Sequence, residues 1–335
     1  MTAAPAPHDP ERACAQIFNS AIAAAAISAA WDVGVFDELR EAERLDAADF
    51  ASRHSLDADA TMAVLTALSA ADVVRREGDR VTPGPNFTEA DRTKGFFYWL
   101  TGGYGELFGQ LPRLLRAENR SGDFYRRDGA AIGVACRQNN KVFFDPAFQP
   151  VIASLEFSAI ADLGCGSGER LIDITRARPG VRGVGIDVSA DVLRLARNEV
   201  DMAGVADRIT LARSDVTALE ERPEFAGVDL VTSFMMAHDF WPRDACVASF
   251  RRIREVFPDV RHFLLADTAR TTAVSDRDMP IFSLGFETAH AVMGVYLPTL
   301  DEWDAVFEES GWHCLDRHLI GTPANSFMFH LVPRR

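Results

Sequence analysis

The feature that most constrains the fold of this 335-residue chain is a glycine-rich turn that follows a short apolar segment near its middle. Residues 159–163 have the composition of a buried strand, and Gly164, Gly166 and Gly168 follow at even spacing. Because glycine has no Cβ, such a turn lets the backbone approach a ligand closely. A helix is expected next, over 171–178. A strand, a glycine-rich turn and a helix together predict one unit of a doubly wound parallel sheet.

Two further predicted strands place acidic residues at the same edge of this sheet. The segment 183–187 ends at Asp187, roughly 20 residues beyond the turn, where a carboxylate can accept both ribose hydroxyls. The segment 209–216 places Asp215 near its end, where an adenine amino group can be bound. Since ligands of such sheets sit beyond the carboxyl ends of the strands, the pattern predicts a nucleotide-binding site. A nucleotide-dependent dehydrogenase is the nearest alternative, but its fingerprint is G-x-G-x-x-G rather than three evenly spaced glycines.

The three motifs together resemble the signature of class I S-adenosylmethionine (SAM)-dependent methyltransferases. They are D-L-G-C-G-S-G at 162–168, G-I-D at 185–187 and S-D-V at 214–216. The resemblance implies an α/β fold, with a Rossmann-like, SAM-binding catalytic domain over residues 151–335. It also implies that the donor contacts residues at the ends of four strands, namely Asp162, Gly164, Gly166, Gly168, Asp187, Ser214, Asp215, Val216 and Phe234.

Residues 1–95 predict helices followed by a small β element. Apolar residues recur at helical spacing up to Val73, and 73–82 contain two strand-like segments around a Gly-Asp turn, which is typical of a hairpin. Helices closed by a hairpin indicate a winged helix. The helix expected beneath the hairpin carries mostly small and apolar residues, so we interpret this domain as a protein-protein module rather than a DNA reader. Residues 96–150 are expected to link the domains and to cover the active site.

An alanine-rich helix near residues 21–30 bears on assembly and on membrane association. Its small side chains allow close helix approach across a homodimer, which we expect, although an ordinary buried helix is as consistent with the pattern. The run is shorter than the roughly 20 apolar residues that a membrane span needs, so no membrane association is expected. Residues 1–10 lack the basic and apolar regions of a secretory signal and are expected to form a frayed tail.

Charge and cysteine content exclude several classes of protein. The net charge of −14 argues against a nucleic-acid partner, because such binding depends on clustered lysines and arginines. Five cysteines without a C-x-x-C pair argue against a disulfide framework and against a cysteine-based zinc site. The cysteine content favours a reducing cytoplasm. Because the glycine-rich donor loop is intact and the front domain lacks a basic recognition face, we expect an enzyme with a small-molecule substrate rather than a binding module that has kept the fold without catalysis.

The fourth predicted strand supplies a second resemblance, because the segment from Val228 ends in His238-Asp239 at the edge that faces the donor. With a winged-helix front half, this is similar to the small-molecule O-methyltransferases whose catalytic histidine lies in a His-Asp-Trp stretch. In that family, the histidine matching His238 deprotonates a hydroxyl of the acceptor. This chain departs from the pattern, since its tryptophan is displaced to give His-Asp-Phe-Trp-Pro at 238–242.

A third resemblance links two distant segments. Met235-Met236-x-His238-Asp239 and the segment 282–299, a helix with His290 that feeds a loop, resemble the α-keto acid C-methyltransferases of peptide-antibiotic biosynthesis. The resemblance implies that His238 and His290 hold a catalytic metal ion, non-haem iron or zinc, which stabilises the enolate of a 2-oxo acid for methylation at its β-carbon. Asp239 would complete the metal shell, orient it or act as the base. The alternatives are an O-methyltransferase with His238 as general base, and His290 as an ordinary helix histidine.

Substrate contacts are expected from the linking region. The carboxylate of a 2-oxo acid needs a positive partner, and Arg127, in the cluster Phe124–Arg127, is the preferred candidate because an arginine fork matches a carboxylate. Trp99 is expected to form an apolar wall, and Met235 to line the same cavity. The alternative is that both arginines of the cluster are solvated charges, and aromatic stripes at this spacing are more often core.

Overall fold

The computed structural model describes residues 9–334, which form two compact units. The first unit runs to Glu106 and also contains Arg126–Asn139, and the second contains Leu107–Tyr125 and continues from Asn140. The predicted linking region, 96–150, is therefore divided between the units. Most of the expected frayed tail, residues 1–8, lies outside the described residues, and a helix begins at Pro10.

The described residues form α-helices and β-strands. The helices are α1 (Pro10–Asp32), α2 (Val35–Ala42), α3 (Ala47–Arg53), α4 (Ala58–Ala70), α5 (Phe87–Tyr98), α6 (Gly105–Gly109), α7 (Leu111–Leu114), α8 (Gly129–Asn139), α9 (Asp145–Ser154), α10 (Glu169–Ala177), α11 (Ala190–Met202), α12 (Arg243–Val256), α13 (Ser283–Met293) and α14 (Leu300–Ser310). The strands are β1 (Leu45–Asp46), β2 (Val74–Glu77), β3 (Arg80–Pro83), β4 (Ala159–Leu163), β5 (Arg182–Asp187), β6 (Ile209–Arg213), β7 (Leu230–Phe234), β8 (His262–Thr268), β9 (Trp312–Ile320) and β10 (Ser326–Pro333).

Local sequence signals determine where several of these helices begin and end. The side chains of Asp57 and Ser189 accept hydrogen bonds from the third backbone N–H of α4 and α11, which satisfies donors that a helix start leaves unpaired. Thr299 and Glu302 form a reciprocal capping box at the start of α14. Gly311 ends that helix in the left-handed conformation, which glycine adopts without steric cost.

The first unit confirms the prediction of helices followed by a hairpin. Strands β2 and β3 pair antiparallel, with Glu77 opposite Arg80, and Gly78 turns the chain at a φ of 62°. The short β1 pairs with β3, so that the three strands are ordered β1-β3-β2. Helices α1 to α5 surround a core to which Phe36, Phe50 and Leu65 contribute fully buried side chains.

Helix α1 corrects one expectation from the sequence. The alanine-rich run is short, but the helix extends beyond it at both ends, and by length and composition α1 is able to cross a membrane. The core helix of a water-soluble domain passes the same test, and Ala26, Ile27 and Ala30 of α1 are buried in the core of the first unit.

The second unit contains a seven-stranded sheet in the order β6-β5-β4-β7-β8-β10-β9. The first five strands are parallel, and β10 runs antiparallel to both of its neighbours. The doubly wound α/β fold predicted from the sequence is thereby confirmed. The chain reverses its direction of strand addition between β4 and β7, and ligands of such sheets bind in the crevice at this point.

The core of the second unit combines bulky aromatics with places where only glycine fits. Trp303 and Trp312 are fully buried between the sheet and its helices. A Cβ at Gly185 would lie 2.8 Å from Leu211 Cδ2 and 2.9 Å from Cys165 Sγ, so β5 packs tightly against β6 and the glycine turn. The predicted third strand ends at Arg213 rather than at 216, because Asp215 leaves the sheet to cap a short 3₁₀ turn.

A histidine pair, of which His330 is buried and His262 half-buried, lies at the end of the sheet away from the crevice and generates a prediction about pH. His262 Nδ1 lies 2.9 Å from His330 Nε2, and burial lowers the pKa of His330 to about 4. The unfolded chain, with an ordinary histidine pKa near 6.5, therefore binds more protons than the folded chain between these two values. Stability contributed by neutral His330 is full above this window and falls as the pH falls through it.

Between pH 7 and pH 5, the free energy of unfolding of the wild type should drop by roughly 1–2 kcal/mol more than that of His330→Leu. Urea unfolding followed at each pH measures both values. The matched control is His313→Leu, which replaces an exposed histidine on the neighbouring strand β9. Parallel stability curves for the wild type and His330→Leu would show that no buried neutral histidine is present.

Candidate active site

The glycine turn after β4 adopts a backbone that only glycine accepts easily. Gly164, Gly166 and Gly168 all have positive φ, at 74°, 55° and 77°. A Cβ at Gly164 would lie 2.5 Å from Met236 Sδ, whereas a Cβ at Gly166 would meet no atom within 4 Å. The middle of the turn thus borders open space, as a backbone that cradles a ligand requires.

Asp187 ties this turn to the neighbouring strands. It lies at the end of β5, and its two carboxylate oxygens accept hydrogen bonds from Gly166 N (3.3 Å) and Ser189 N (2.9 Å). Its carbonyl accepts from Ser214 N at 3.1 Å, so three predicted donor-binding residues converge at one edge. The side chain is partly exposed and remains within reach of a ligand.

The remaining predicted donor residues differ in how accessible they are. Asp215 is exposed, and its Oδ1 accepts from the backbone and the hydroxyl of Thr217, while Val216 is half-buried. Asp162 is buried in β4 and accepts a 2.6 Å hydrogen bond from Thr232 Oγ1. Burial raises the pKa of Asp162. Phe234 ends β7 and is also buried.

Two histidines, 52 residues apart in the chain, meet beside this edge. His238 lies in a short 3₁₀ helix after β7, and His290 lies in α13. Their Nε2 atoms are 3.2 Å apart, and their ring planes are inclined at 83°. Both side chains are buried. The structure therefore brings together the two residues that the sequence suggested as a metal-binding pair.

The partners of the opposite ring nitrogens determine the tautomers. His238 Nδ1 lies 2.8 Å from Asp267 Oδ2, and His290 Nδ1 lies 2.7 Å from the carbonyl oxygen of Phe286. Carboxylate and carbonyl oxygens accept hydrogen bonds, so both Nδ1 atoms carry the proton and donate. In the neutral rings, both Nε2 atoms then present lone pairs to each other. Such a pair is stable only when a proton or a metal ion lies between the two nitrogens.

Asp267 is the functional residue that sequence reasoning missed. It lies on β8, is 1% exposed, and its Oδ2 also accepts from the backbone N–H of His238 at 2.8 Å. Its Oδ1 accepts from Thr268 N at 2.7 Å. The available signal was an acidic residue after the apolar run 263–266, which repeats the pattern of a carboxylate at the end of a parallel strand.

Helix α13 is held in place at both ends. Near its C-terminus, Arg120 donates to the carbonyl of Val292 at 2.7 Å, which places a cation where the helix dipole favours it. At its fifth residue, Glu287 accepts from Thr271 N at 2.7 Å. The ring of Phe286 packs against both histidines, 4.2 Å from His290 and 5.6 Å from His238 between centroids. These contacts position His290 before any ligand binds.

The other predicted residues lie in different places. Met235 follows β7 with a positive φ of 56°, and its N–H donates to the Ala266 carbonyl at 2.8 Å. Asp239 is half exposed, with Oδ1 3.9 Å from His238 Nε2. Within residues 9–334, no group of three or more metal-ligating side chains is arranged around one point. Arg127 and Trp99 belong to the first unit and both contact Tyr104, so their role in the site remains a prediction.

The glycine turn generates a prediction with a built-in comparison. Gly164→Ala should destabilise the protein by roughly 2–3 kcal/mol, because the backbone strain of a positive φ and the steric clash with Met236 both raise the free energy of the folded state. Gly166→Ala should cost only about 1 kcal/mol, since no atom opposes its methyl group, yet it should weaken S-adenosylhomocysteine binding by filling the open cradle. Urea unfolding and calorimetric titration measure the two effects. Unchanged ligand affinity in Gly166→Ala would show that the ligand does not approach the turn.

Comparison with known proteins agrees with this geometry. A family described as "Methyltransferase domain" matches residues 160–257, which contain the glycine turn, β5 to β7 and His238. The chain is 44% identical to the methyltransferase ungE′ of Aspergillus campestris, over 96% of this chain and 97% of that protein. It is 30% identical to the indolepyruvate C-methyltransferase of Streptomyces griseus, over 97% of this chain and 96% of that protein.

Solved structures show the same fold. The mitomycin 7-O-methyltransferase MmcR has a TM-score of 0.64 and 20% identity, covering 96% of this chain and 97% of its own. Human N-acetylserotonin methyltransferase, solved with SAM, has a TM-score of 0.65 and 16% identity, covering 99% of this chain and 100% of its own. The similarity to methyltransferases over the full length of the chain thus agrees with the glycine turn and the acidic residues at the strand ends. The chain belongs to the class I SAM-dependent methyltransferases and is a methyltransferase enzyme.

Proposed function

We propose that this enzyme transfers the methyl group of SAM to the β-carbon of a 2-oxo acid, with a metal ion held by His238 and His290. The observation that supports this most directly is the pair of Nε2 atoms that face each other at 3.2 Å. The indolepyruvate C-methyltransferase of Streptomyces griseus is by its name an enzyme for a 2-oxo acid, and the similarity covers nearly the whole chain.

The histidine pair fits a bound cation in distance and in protonation. Two imidazole nitrogens that share a zinc-like ion, each about 2.0–2.1 Å from it, can lie at most about 4.2 Å apart. The observed 3.2 Å falls within this limit. Hydrogen bonds from both Nδ1 atoms, to Asp267 and to the Phe286 carbonyl, orient the rings as in established metal sites. Zinc or non-haem iron would, when bound, act as a Lewis acid that favours the enolate of a 2-oxo acid.

The side chains around the pair are assigned the remaining steps. We assign to Asp239, which is half exposed and has Oδ1 3.9 Å from His238 Nε2, the removal of a proton from the β-carbon or the role of a third ligand. The electron pair of the broken C–H bond forms the enolate, whose β-carbon then bonds to the sulfonium methyl and releases S-adenosylhomocysteine. Met235 lies at the same edge and contributes apolar surface. We assign the substrate carboxylate to Arg127 and an apolar wall to Trp99.

O-methylation of a small hydroxylated aromatic is the second candidate, and one observation favours it. Because His238 Nδ1 donates to Asp267, the lone pair that could accept a proton from an acceptor hydroxyl, as general base catalysis requires, is on Nε2. However, His290 Nε2 lies in hydrogen-bond range of that same atom, where the hydroxyl would have to bind. The second imidazole is therefore the feature that makes C-methylation the preferred function.

The histidine pair generates a direct test by metal analysis and product assay. In untagged protein, His290→Ala should lower metal affinity by at least about 10-fold and abolish turnover of phenylpyruvate or 4-methyl-2-oxopentanoate. Affinity for S-adenosylhomocysteine should stay within about 2-fold, because the donor turn is untouched. Elemental analysis, calorimetry and NMR of the product measure the three quantities, and NMR locates the new methyl group.

The matched control for this test is His313→Ala, which removes an exposed histidine of β9 and should alter none of the three quantities. Unchanged metal content in His290→Ala would remove this residue from the site. Metal-free protein that methylates phenols at full rate and ignores 2-oxo acids would overturn C-methylation in favour of O-methylation.

We further propose that the enzyme acts as a cytoplasmic homodimer in secondary metabolism, such as antibiotic biosynthesis. All five cysteines are free thiols, which suits a reducing compartment. Helix α1 exposes Ile17, Phe18 and Ile22 on its surface, an apolar patch that a second copy would cover. Analytical ultracentrifugation should give about twice the chain mass, and Phe18→Glu should shift it toward the monomer. A monomeric wild type at micromolar concentration would refute this assembly.

A further inference from the structure

Ser283 carries a buried hydroxyl group that neither the glycine turn nor the proposed chemistry uses. It is the first residue of α13, and it is 1% exposed. Its Oγ atom has no hydrogen-bond partner among the residues that the structure describes. A polar group that is buried without a partner raises the free energy of the folded state, so a fold gains nothing from placing a serine here.

Two other buried hydroxyls on helices of this chain are satisfied by their own helix. Ser310 Oγ donates to the Val306 carbonyl at 2.6 Å, and Thr175 Oγ1 donates to the Leu171 carbonyl at 2.8 Å. In both cases the acceptor lies one turn earlier in the helix. Because Ser283 begins its helix, no preceding helical turn supplies such a carbonyl. The contrast indicates that the partner of the Ser283 hydroxyl comes from a ligand.

A second unpartnered hydroxyl lies on the same side of α13. Glu287, four residues after Ser283, shares its side of the helix, and its Oε1 accepts a hydrogen bond from Thr271 N at 2.7 Å. This bond holds Thr271, which follows β8, against the helix. Thr271 Oγ1 is buried and likewise has no hydrogen-bond partner within the described part of the chain. Two unused hydroxyls therefore lie on one side of α13 near its start.

The same face of α13 carries the active-site histidine. His290 is seven residues after Ser283, which is nearly two full turns, so the two residues share a face and lie roughly 10 Å apart along the helix axis. Phe286 lies between them, with its ring centroid 4.2 Å from that of His290, and Phe282 stacks on Phe286 at 5.2 Å. An acid held at His290 therefore has an aromatic wall along its side chain and hydroxyls at the far end of that wall.

We propose that Ser283 is a specificity-determining residue, whose hydroxyl accepts a hydrogen bond from a ring N–H of an aromatic 2-oxo acid such as indole-3-pyruvate. Thr271 adds a second hydroxyl at the same polar end. This inference rests on the proposed function, because it requires an acid that is bound at His290. A hydrocarbon ring leaves both hydroxyls unpaired, and a site built around a polar partner discriminates against the analogue that lacks it.

The test compares two acids that differ at one position of the ring system. Indole-3-pyruvate has the N–H donor, whereas its benzothiophene analogue has a sulfur atom in that place and keeps the bicyclic shape. The wild type should have a several-fold higher kcat/KM for indole-3-pyruvate. In Ser283→Ala, that value should fall roughly 3- to 10-fold, while kcat/KM for the analogue stays within about 2-fold of the wild type. The melting temperature should not fall, because no hydrogen bond within the chain is lost.

Ser310→Ala is the matched control, since it removes a buried serine hydroxyl whose hydrogen bond lies within its own helix. It should lower the melting temperature and leave the ratio of the two kcat/KM values unchanged. If Ser283→Ala does not fold, Thr271→Val makes the same test, because it removes the other hydroxyl and keeps the shape of the side chain.

Two kinds of failure can be told apart in this experiment. Equal kcat/KM values for the two acids in the wild type, or a ratio that Ser283→Ala leaves unchanged, would overturn the role of Ser283. Either result, with the new methyl group on the β-carbon of both products, would leave the proposed function intact. If the wild type methylates neither acid on carbon, both the proposed function and this inference are wrong.

Discussion

The arrangement of the active site depends on two hydrogen bonds that the carboxylate of Asp267 accepts from His238. It binds both the backbone N–H and the Nδ1–H of His238, and thereby sets the position, the ring orientation and the tautomer of that residue at once. Asp267 can do this because β7 and β8 are adjacent and parallel, with Phe234 in register with Ala266. Parallel strands end at the same edge, so the loop after one strand meets the last residues of the next.

Once His238 is oriented, the proposed chemistry depends on the group that faces its Nε2 atom. Helix α13 presents a second ring whose own Nδ1–H is held by the Phe286 carbonyl, so two lone pairs meet in a buried space. Apposed lone pairs require a cation, and this requirement connects the geometry to the proposed enolate chemistry. The donor turn after β4 borders the same sheet edge.

Much of the fold and part of the site could be predicted from local patterns. The apolar segments at 159–163 and 183–187 match β4 and β5 within one residue, and the three glycines form the turn predicted after β4, each with a positive φ. The third strand was predicted too long, because apolar and β-branched composition does not reveal that Asp215 caps a turn. Asp267 was missed because its role depends on the neighbouring strand of the sheet, which only the folded chain supplies.

The sequence by itself determined the donor-binding half of this protein: strand composition, glycines where the backbone needs positive φ, and acidic residues at strand ends are local properties encoded within a few residues. The family resemblance paired His238 with His290, but only tertiary structure decided that their Nε2 atoms lie 3.2 Å apart and that both Nδ1 atoms donate to oxygen acceptors. It also decided that the guanidinium of Arg178 finds its acceptors in the carbonyls of Leu155 and Ile152. The physical reason is that hydrogen-bond partners, burial and charge proximity arise from packing between distant segments, which no local pattern specifies.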